Sequence, residues 1–289
     1  MICLACKQEY NADLVQIRDH FLSQEVFAVS FCPNCELGKT MVPSDIDLAA
    51  YYASNDYVSH AAAGRNLLQA IYLLARRFTI KGKTKLIRRF TATGADVLDY
   101  GCGTGAFLTE LKQAGYHITG IEPDPGARAI AAETTGQSIQ ADLQELAHDK
   151  LYDTITLWHV LEHTPAPREV LERLKSLLKP NGKMVIAVPN HKSRDCQHYG
   201  TAWAGYDVPR HLWHFSQESM LRISEHSRLK LIETIPMKLD AYYVSLLSEK
   251  YTGSPFPMQW PKAFLSGVQS NLSAGKTGEW SSLIYIFQA

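Results

Sequence analysis

The stretch VLDYGCGTGAFL, residues Val97 to Leu108, decides the fold. An apolar run closes on the acidic Asp99, glycines follow at 101, 103 and 105, and apolar residues at helical spacing begin near Ala106. A strand, a tight turn and a helix N-terminus in that order sit at the carboxyl edge of a sheet, where doubly wound folds bind their ligands. Glycine tolerates positive φ and puts no Cβ between the backbone and a neighbour. One glycine needs only a tight turn to explain it; three behind an acid point to a ligand lying against the chain.

Outward from that turn, short apolar runs alternate with helical patterns: ADVLDY then FLTELKQAG, YHITGIE then GARAIAAETTG, QSIQAD, YDTITLWHV then PREVLERLKSLLKPNG, and KMVIAVPN. This alternation predicts an α/β fold, a doubly wound, mostly parallel Rossmann-like sheet with crossover helices. Five parallel strands are expected from residues 96–189, with a sixth and seventh near 230–235 and 282–287, seven in all. The expected organisation is a small cysteine-bearing module at 1–42, a helical connector and cofactor cap at 43–93, and a main domain at 94–289. Within that domain the core spans 96–190, and a substrate-side loop with insertions fills 191–281.

The chain has 289 residues, 46% of them apolar, enough for a substantial core. Lys plus Arg and Asp plus Glu both total 29, so no net charge draws the molecule to nucleic acid or an anionic membrane. No charged leader with an apolar stretch opens the sequence, and no apolar run reaches the ~18 residues of a membrane span. A cytoplasmic protein is expected. Of six cysteines, four form the pairs Cys3-x-x-Cys6 and Cys32-x-x-Cys35, while Cys102 and Cys196 stand alone. Two such pairs supply the four thiolates of a closed, structural zinc site, zinc-ribbon-like. The 25 residues between them, positions 7 to 31, exceed the usual spacing, but a hairpin takes up the excess. A redox dithiol would not need a second pair. The run ARRFTIKGKTKLIRRF carries seven basic residues from Arg76 to Arg89. With no stacking aromatics beside it, a solvated helix face accounts for it better than nucleic-acid binding does.

The dinucleotide fingerprint is G-x-G-x-x-G, whereas here the third glycine arrives one residue early, which makes NAD the second choice. The next strand ends in Glu122, whose carboxylate can accept both hydroxyls of a ribose. With these residues in place the sequence resembles the class I S-adenosylmethionine (SAM)-dependent methyltransferases. LDYGCGTG is similar to their first motif, IEPDP to their second and ADLQEL to the acidic loop after the third strand, and the match runs on through WHVLEHTPAPREVLERLKSLLKPNGKMVIAVPN. The resemblance implies that Asp99 and the backbone through Gly101, Cys102, Gly103 and Gly105 hold the methionine portion. It places Glu122 with Pro123 at the ribose, Asp142 with the backbone of Leu143 at the adenine, and Trp158 at the cofactor's border. It also implies a last strand inserted antiparallel between the fifth and sixth.

Methyl transfer is an in-line displacement in which positioning does most of the work, assisted by a base when the acceptor must lose a proton. Histidine has a suitable pKa. Two clusters stand at the expected catalytic edge: His159 and His163 in LWHVLEH, and His211 and His214 in DVPRHLWHF. Each has a competing reading as a cap or packing residue, and Glu162 could serve a helix N-terminus. GTAWAGYDVPRHLWHF resembles a stretch found after the core in a branch of these enzymes, and is expected to form a substrate-side lid with Trp203, Tyr206 and Arg210 as contacts. Arg210 offers a fork for an acceptor anion, or else a structural ion pair. Tyr57 and His60 in YYASNDYVSH are further substrate-side candidates. The expected activity is methyl transfer from SAM to oxygen or nitrogen of a small polar metabolite, a sugar among them. RNA or protein methylation, a non-catalytic cofactor-binding module and, last, an NAD-dependent oxidoreductase are the alternatives.

Overall fold

The computed structural model describes residues 1–10, 13–52, 67–146 and 150–289. Tyr57 and His60 lie outside the described residues. In chain order the elements are β1 (Leu14–Arg18), β2 (Val26–Phe31), β3 (Gly38–Met41), α1 (Leu67–Ile87), β4 (Asp96–Tyr100), α2 (Ala106–Gln113), β5 (His117–Ile121), α3 (Pro125–Thr135), β6 (Tyr152–Trp158), α4 (Pro167–Ser176), β7 (Leu178–Pro189), α5 (Arg194–Tyr199), β8 (Trp213–His214), α6 (Gln217–His226), β9 (Lys230–Pro236), α7 (Asp240–Tyr251), α8 (Phe256–Thr277) and β10 (Ser282–Gln288). Two compact units result: Met1–Tyr52 with His159–Glu172 and Ile186–Ile286, and Ala53–Trp158 with Arg173–Val185 and Phe287–Ala289.

Strands covered on both faces read as near-continuous apolar runs. β4, β6 and β7 obey this, with Val97, Leu98, Ile155, Leu157, Met184 and Val185 fully buried. Each such aliphatic side chain contributes about 1.5 to 3 kcal/mol relative to exposure. The main sheet has the order β5-β4-β6-β7-β10-β9. β4 runs parallel to β5 and to β6. The amide of Ala289 donates to Gly182 and that of Asn190 to Ser281, so the end of β10 meets the start of β7 and the reverse. β10 is therefore antiparallel and lies between β7, the fifth of the expected strands, and β9, the sixth, as the resemblance implied.

The sheet has six strands among the described residues, not seven. The expected strand QSIQAD is reduced to one parallel bridge, Ile121 to Gln140. Ile139 is its only deeply buried side chain. One apolar residue among polar neighbours gives a strand no face to bury. The helix before it, α3, is well defined at both ends: Asp124 accepts from the Ala127 amide, Pro125 opens the helix, and Gly136 closes it at φ 63°.

The N-terminal segment extends further than a free-standing module. β1, β2, β3 and β8 form a second, antiparallel sheet, with Gly38 opposite His214 and Lys39 opposite Trp213. A Cβ at Gly38 would lie 2.6 Å from the Phe31 ring and 2.8 Å from His214 Cβ, so only glycine fits there. Ile17, Phe27 and Val29 share a core with Tyr199, Trp203, Tyr206 and Val208. A pair of strands too small for a core of its own thus borrows one from the segment after β7.

Candidate functional site

At the carboxyl end of β4 the turn is built on three left-handed glycines, with φ of 76° at Gly101, 55° at Gly103 and 76° at Gly105. Other residues rarely adopt this conformation. A Cβ at Gly105 would approach the backbone of Ala131 to 3.0 Å, which packs α2 close against α3. A Cβ at Gly103 would meet nothing within 4 Å, so this turn keeps an open face. The amides of Gly101 and Cys102 both donate to the Ile121 carbonyl, at 2.8 and 2.9 Å, and that of Gly105 to Cys102. The Gly103 amide donates to Glu122 Oε2 at 2.8 Å. With these amides spent internally, the turn is poorly suited to cradle phosphates and well suited to a ligand that binds through carboxylates.

Those carboxylates flank it. Asp99 is 2% exposed and accepts from Thr156 Oγ1 at 2.6 Å. Burial pushes its carboxyl up to about 7, against the Thr156 bond and the charge of Lys83. Glu122 follows β5; burial raises its carboxyl too, while the amides of Asp124 and Gly103 oppose this. Arg128 donates to the carbonyls of Glu122 and Pro123, both at 2.8 Å, and fixes the backbone there. Asp142 uses Oδ1 to cap the turn Leu143–Glu145, accepting from Gln144 and Glu145. Trp158 ends β6 with its ring edge-on to Phe107, and its indole N–H has no hydrogen-bond partner among the described residues. Burial also raises the Cys102 thiol, keeping it protonated.

Sequence reasoning missed Lys83, whose ammonium lies 4.3 Å from the centre of the Trp158 ring. The signal was there in the basic run from Arg76 to Arg89, but nothing marked which of its residues turns inward. Thr156, the donor to Asp99, carried no signal at all within an apolar strand.

The histidine clusters are ordered by specific partners. His159 is left-handed, at φ 57°, with Nδ1 3.3 Å from Glu162 and Nε2 3.3 Å from Asp240. Burial disfavours its charged form, but the two carboxylates outweigh it and raise the ring to about 9. His163 is the reverse: burial, with the neighbouring His211, lowers it to about 4. Its Nδ1 bonds the Arg210 carbonyl at 3.0 Å, and Tyr52 approaches the same nitrogen at 3.1 Å. His211 Nδ1 bonds the Gly205 carbonyl at 2.9 Å.

Four candidates after the core, three substrate-side and one catalytic, have their polar groups committed elsewhere. Arg210, expected to offer a fork to an acceptor anion, is 1% exposed. Its guanidinium donates to Asp19 at 2.9 Å and to Asp207 at 2.6 Å, and the cavity beside it has room for about one water molecule. His214, expected as a base, is buried, donates to Thr40 Oγ1 at 2.9 Å, and is held far below the usual range by burial. The Thr40 hydroxyl donates to the His211 carbonyl at 2.6 Å, so this pair ties β3 to β8. Trp203 is buried with its indole on Asp195 at 2.8 Å, and Tyr206 is buried beside Cys196.

The four paired cysteines do converge. Their sulfurs all lie within 4.8 Å of one another, with Cys3 3.5 Å from Cys35 and Cys6 3.4 Å from Cys32. Tetrahedral thiolates around zinc are about 3.8 Å apart and a disulfide about 2 Å, so the set has the size of a metal site. Both knuckles close alike: Lys7 donates to the Cys3 carbonyl and Glu36 to that of Cys32, and both residues are left-handed. The contact between Cys3 and Cys35 lowers the Cys3 thiol and raises the Cys35 thiol, so the two share one proton.

A family model described as a methyltransferase domain matches residues 74–234, more than half of the chain. The ubiquinone biosynthesis O-methyltransferase of Paraburkholderia xenovorans is 31% identical over 106 residues, 34% of this chain and 46% of that protein. That of Pectobacterium carotovorum is 32% identical over 111 residues, 35% of this chain and 46% of that protein. The chain thus spans about half the length of these curated relatives. Among solved structures, magnesium protoporphyrin IX methyltransferase from Synechocystis PCC 6803 with bound SAH superposes with a TM-score of 0.55 at 15% identity, over 83% of this chain and 97% of that one. This likeness shows the fold, and with the family match it establishes that the chain belongs to the methyltransferase-domain family.

Proposed function

We propose that the protein transfers a methyl group from SAM to an oxygen or nitrogen of a small polar metabolite. The observation that carries this reading is the trio at the strand ends: buried Asp99, the open Gly103 face, and Glu122 bound to the Gly103 amide. When bound, the cofactor supplies an electrophilic methyl on a sulfonium. Asp99, once ionised, accepts from the amino-acid ammonium, and the Lys83 charge favours that ionised form. Glu122 retains a lone pair on each oxygen for the ribose hydroxyls beyond its two backbone donors. Asp142 has Oδ2 left for an exocyclic amine. The curated relatives act on a quinone precursor pathway and the solved relative on a porphyrin, which supports a small-molecule acceptor.

Two histidines divide the acid–base roles by environment. His159, held as an imidazolium between Asp240 and Glu162, orients and does not abstract a proton near neutral pH. His163, kept neutral, leaves one ring nitrogen with a lone pair, open to a proton or to a metal ion. The cysteines hold one structural zinc, which takes no part in the reaction. Incubation of the full chain with methyl-labelled SAM and separate metabolite, RNA and protein pools tests the reading. Label should enter the metabolite fraction; label confined to RNA or protein moves the assignment to that class, and saturable binding without transfer to any pool leaves a non-catalytic module.

A further inference from the structure

Glu162 sits in the short turn Leu161–His163 after β6, wholly buried. Neither of its carboxylate oxygens has a hydrogen bond among the described residues. Glu162 is paired with the charge of His159, whose Nδ1 lies 3.3 Å from Oε1. A buried carboxylate without a hydrogen bond is expensive, and binding a metal ion is one way such a group is satisfied.

Two imidazoles converge on it. One ligand atom from each of Glu162, His163 and His211 lies within 4.8 Å of the other two, and the two rings meet edge to face at 4.6 Å between centroids. Their tautomers are set by the backbone. A carbonyl oxygen accepts and cannot donate, so the bonds from Nδ1 of His163 to Arg210 and from Nδ1 of His211 to Gly205 put the proton on Nδ1 in both rings. Each Nε2 then carries the lone pair. An Nδ1–H held by a backbone carbonyl while Nε2 is left to ligate is the usual support of a metal-bound histidine.

We propose that Glu162, His163 and His211 form a second metal site, separate from the four cysteines, that takes a divalent first-row transition ion. Two imidazole nitrogens and one carboxylate oxygen match such ions and not the all-oxygen preference of calcium or magnesium. The ion gives the Glu162 oxygens, which make no hydrogen bond among the described residues, a direct partner. His163 is partly exposed, which leaves the site reachable from solvent. The backbone holds the three ligands in place: Leu212 donates to the Glu162 carbonyl at 2.8 Å and Tyr52 bonds the Arg210 carbonyl at 3.2 Å.

The test uses the full chain with zinc already bound at the cysteines and loosely held metal removed by chelation, titrated with Co²⁺ and followed by visible absorption and paramagnetic NMR. One further equivalent is expected, without a thiolate-to-cobalt charge-transfer band, and with shifted imidazole resonances from His163 and His211. Glu162→Gln and His211→Ala, checked by circular dichroism and by retained zinc, should each weaken that uptake about 10- to 100-fold, as loss of a ligand must by at least as much as loss of its support. Absence of a further equivalent in the unaltered chain overturns the site, as does a thiolate spectrum or unchanged uptake in both folded variants. Should a variant fail to fold, the NMR shifts of the unaltered chain decide: effects confined to other histidines refute the assignment.

Discussion

Replacing Asp99 by asparagine isolates the cost of holding a charge at the glycine turn. The carboxyl is 2% exposed, accepts from the Thr156 hydroxyl, and is pushed from 3.8 up to about 7, chiefly by burial. A raised carboxyl binds its proton more tightly in the fold than in the unfolded chain. Below pH 4 both states are protonated and the shift has no effect; as pH rises to 7 the fold loses stability, and above 7 the full penalty is present. That penalty is about 4 kcal/mol at 1.36 kcal/mol per pKa unit. Asparagine keeps the shape and the Thr156 bond but never ionises. Its buried amide protons carry their own cost, equal at every pH, so the informative quantity is the stability of Asp99→Asn minus that of the unaltered chain. This difference should swing toward the variant by about 3 to 4 kcal/mol between pH 4 and pH 8. Denaturant unfolding at the two pH values, read as midpoint shifts at constant slope, measures it. A difference that stays constant with pH, or swings the other way, refutes the argument that burial dominates at Asp99.

Glu122→Ala should weaken SAM binding by about 1.5 to 3 kcal/mol, the worth of hydrogen bonds to a charged acceptor, as read by calorimetry on the folded variant. Elemental analysis should find one zinc on the four thiols, and Cys35→Ser should release it. Because Glu36 bonds Lys192 and β3 pairs with β8, that loss should also raise hydrogen exchange around Trp213; exchange raised only within residues 1–42 would show an autonomous module. Arg210→Met should cost about 3 kcal/mol or more, since it strips a buried partner from Asp19. An unchanged unfolding midpoint would return Arg210 to the role of a free anion fork.

Much of the sheet was legible because its signals are local. Asp99, the three glycines and Glu122 sit at fixed distances along one βαβ unit, and the apolar runs of β4, β6 and β7 declare strands buried on both faces. The strand at QSIQAD was misread because alternation around one apolar residue looks like a strand until its neighbours are found exposed. The histidine-rich loop was harder, since its meaning lies in partners far along the chain. Arg210 meets Asp19, His214 meets Thr40, and His159 meets Asp240. No periodicity predicts such pairs. The paired cysteines were legible as a candidate ligand set from their spacing, and the convergence of their sulfurs within 4.8 Å fits that reading.

Calorimetric titration of the purified chain with SAM, its demethylated product and NADH tests the cofactor assignment most directly. One site for the sulfonium cofactor is expected, with a dissociation constant of about a micromolar or below, about −8 kcal/mol, weakened by both Asp99→Asn and Glu122→Ala. Saturable binding of NADH with no heat from SAM or its product would contradict it.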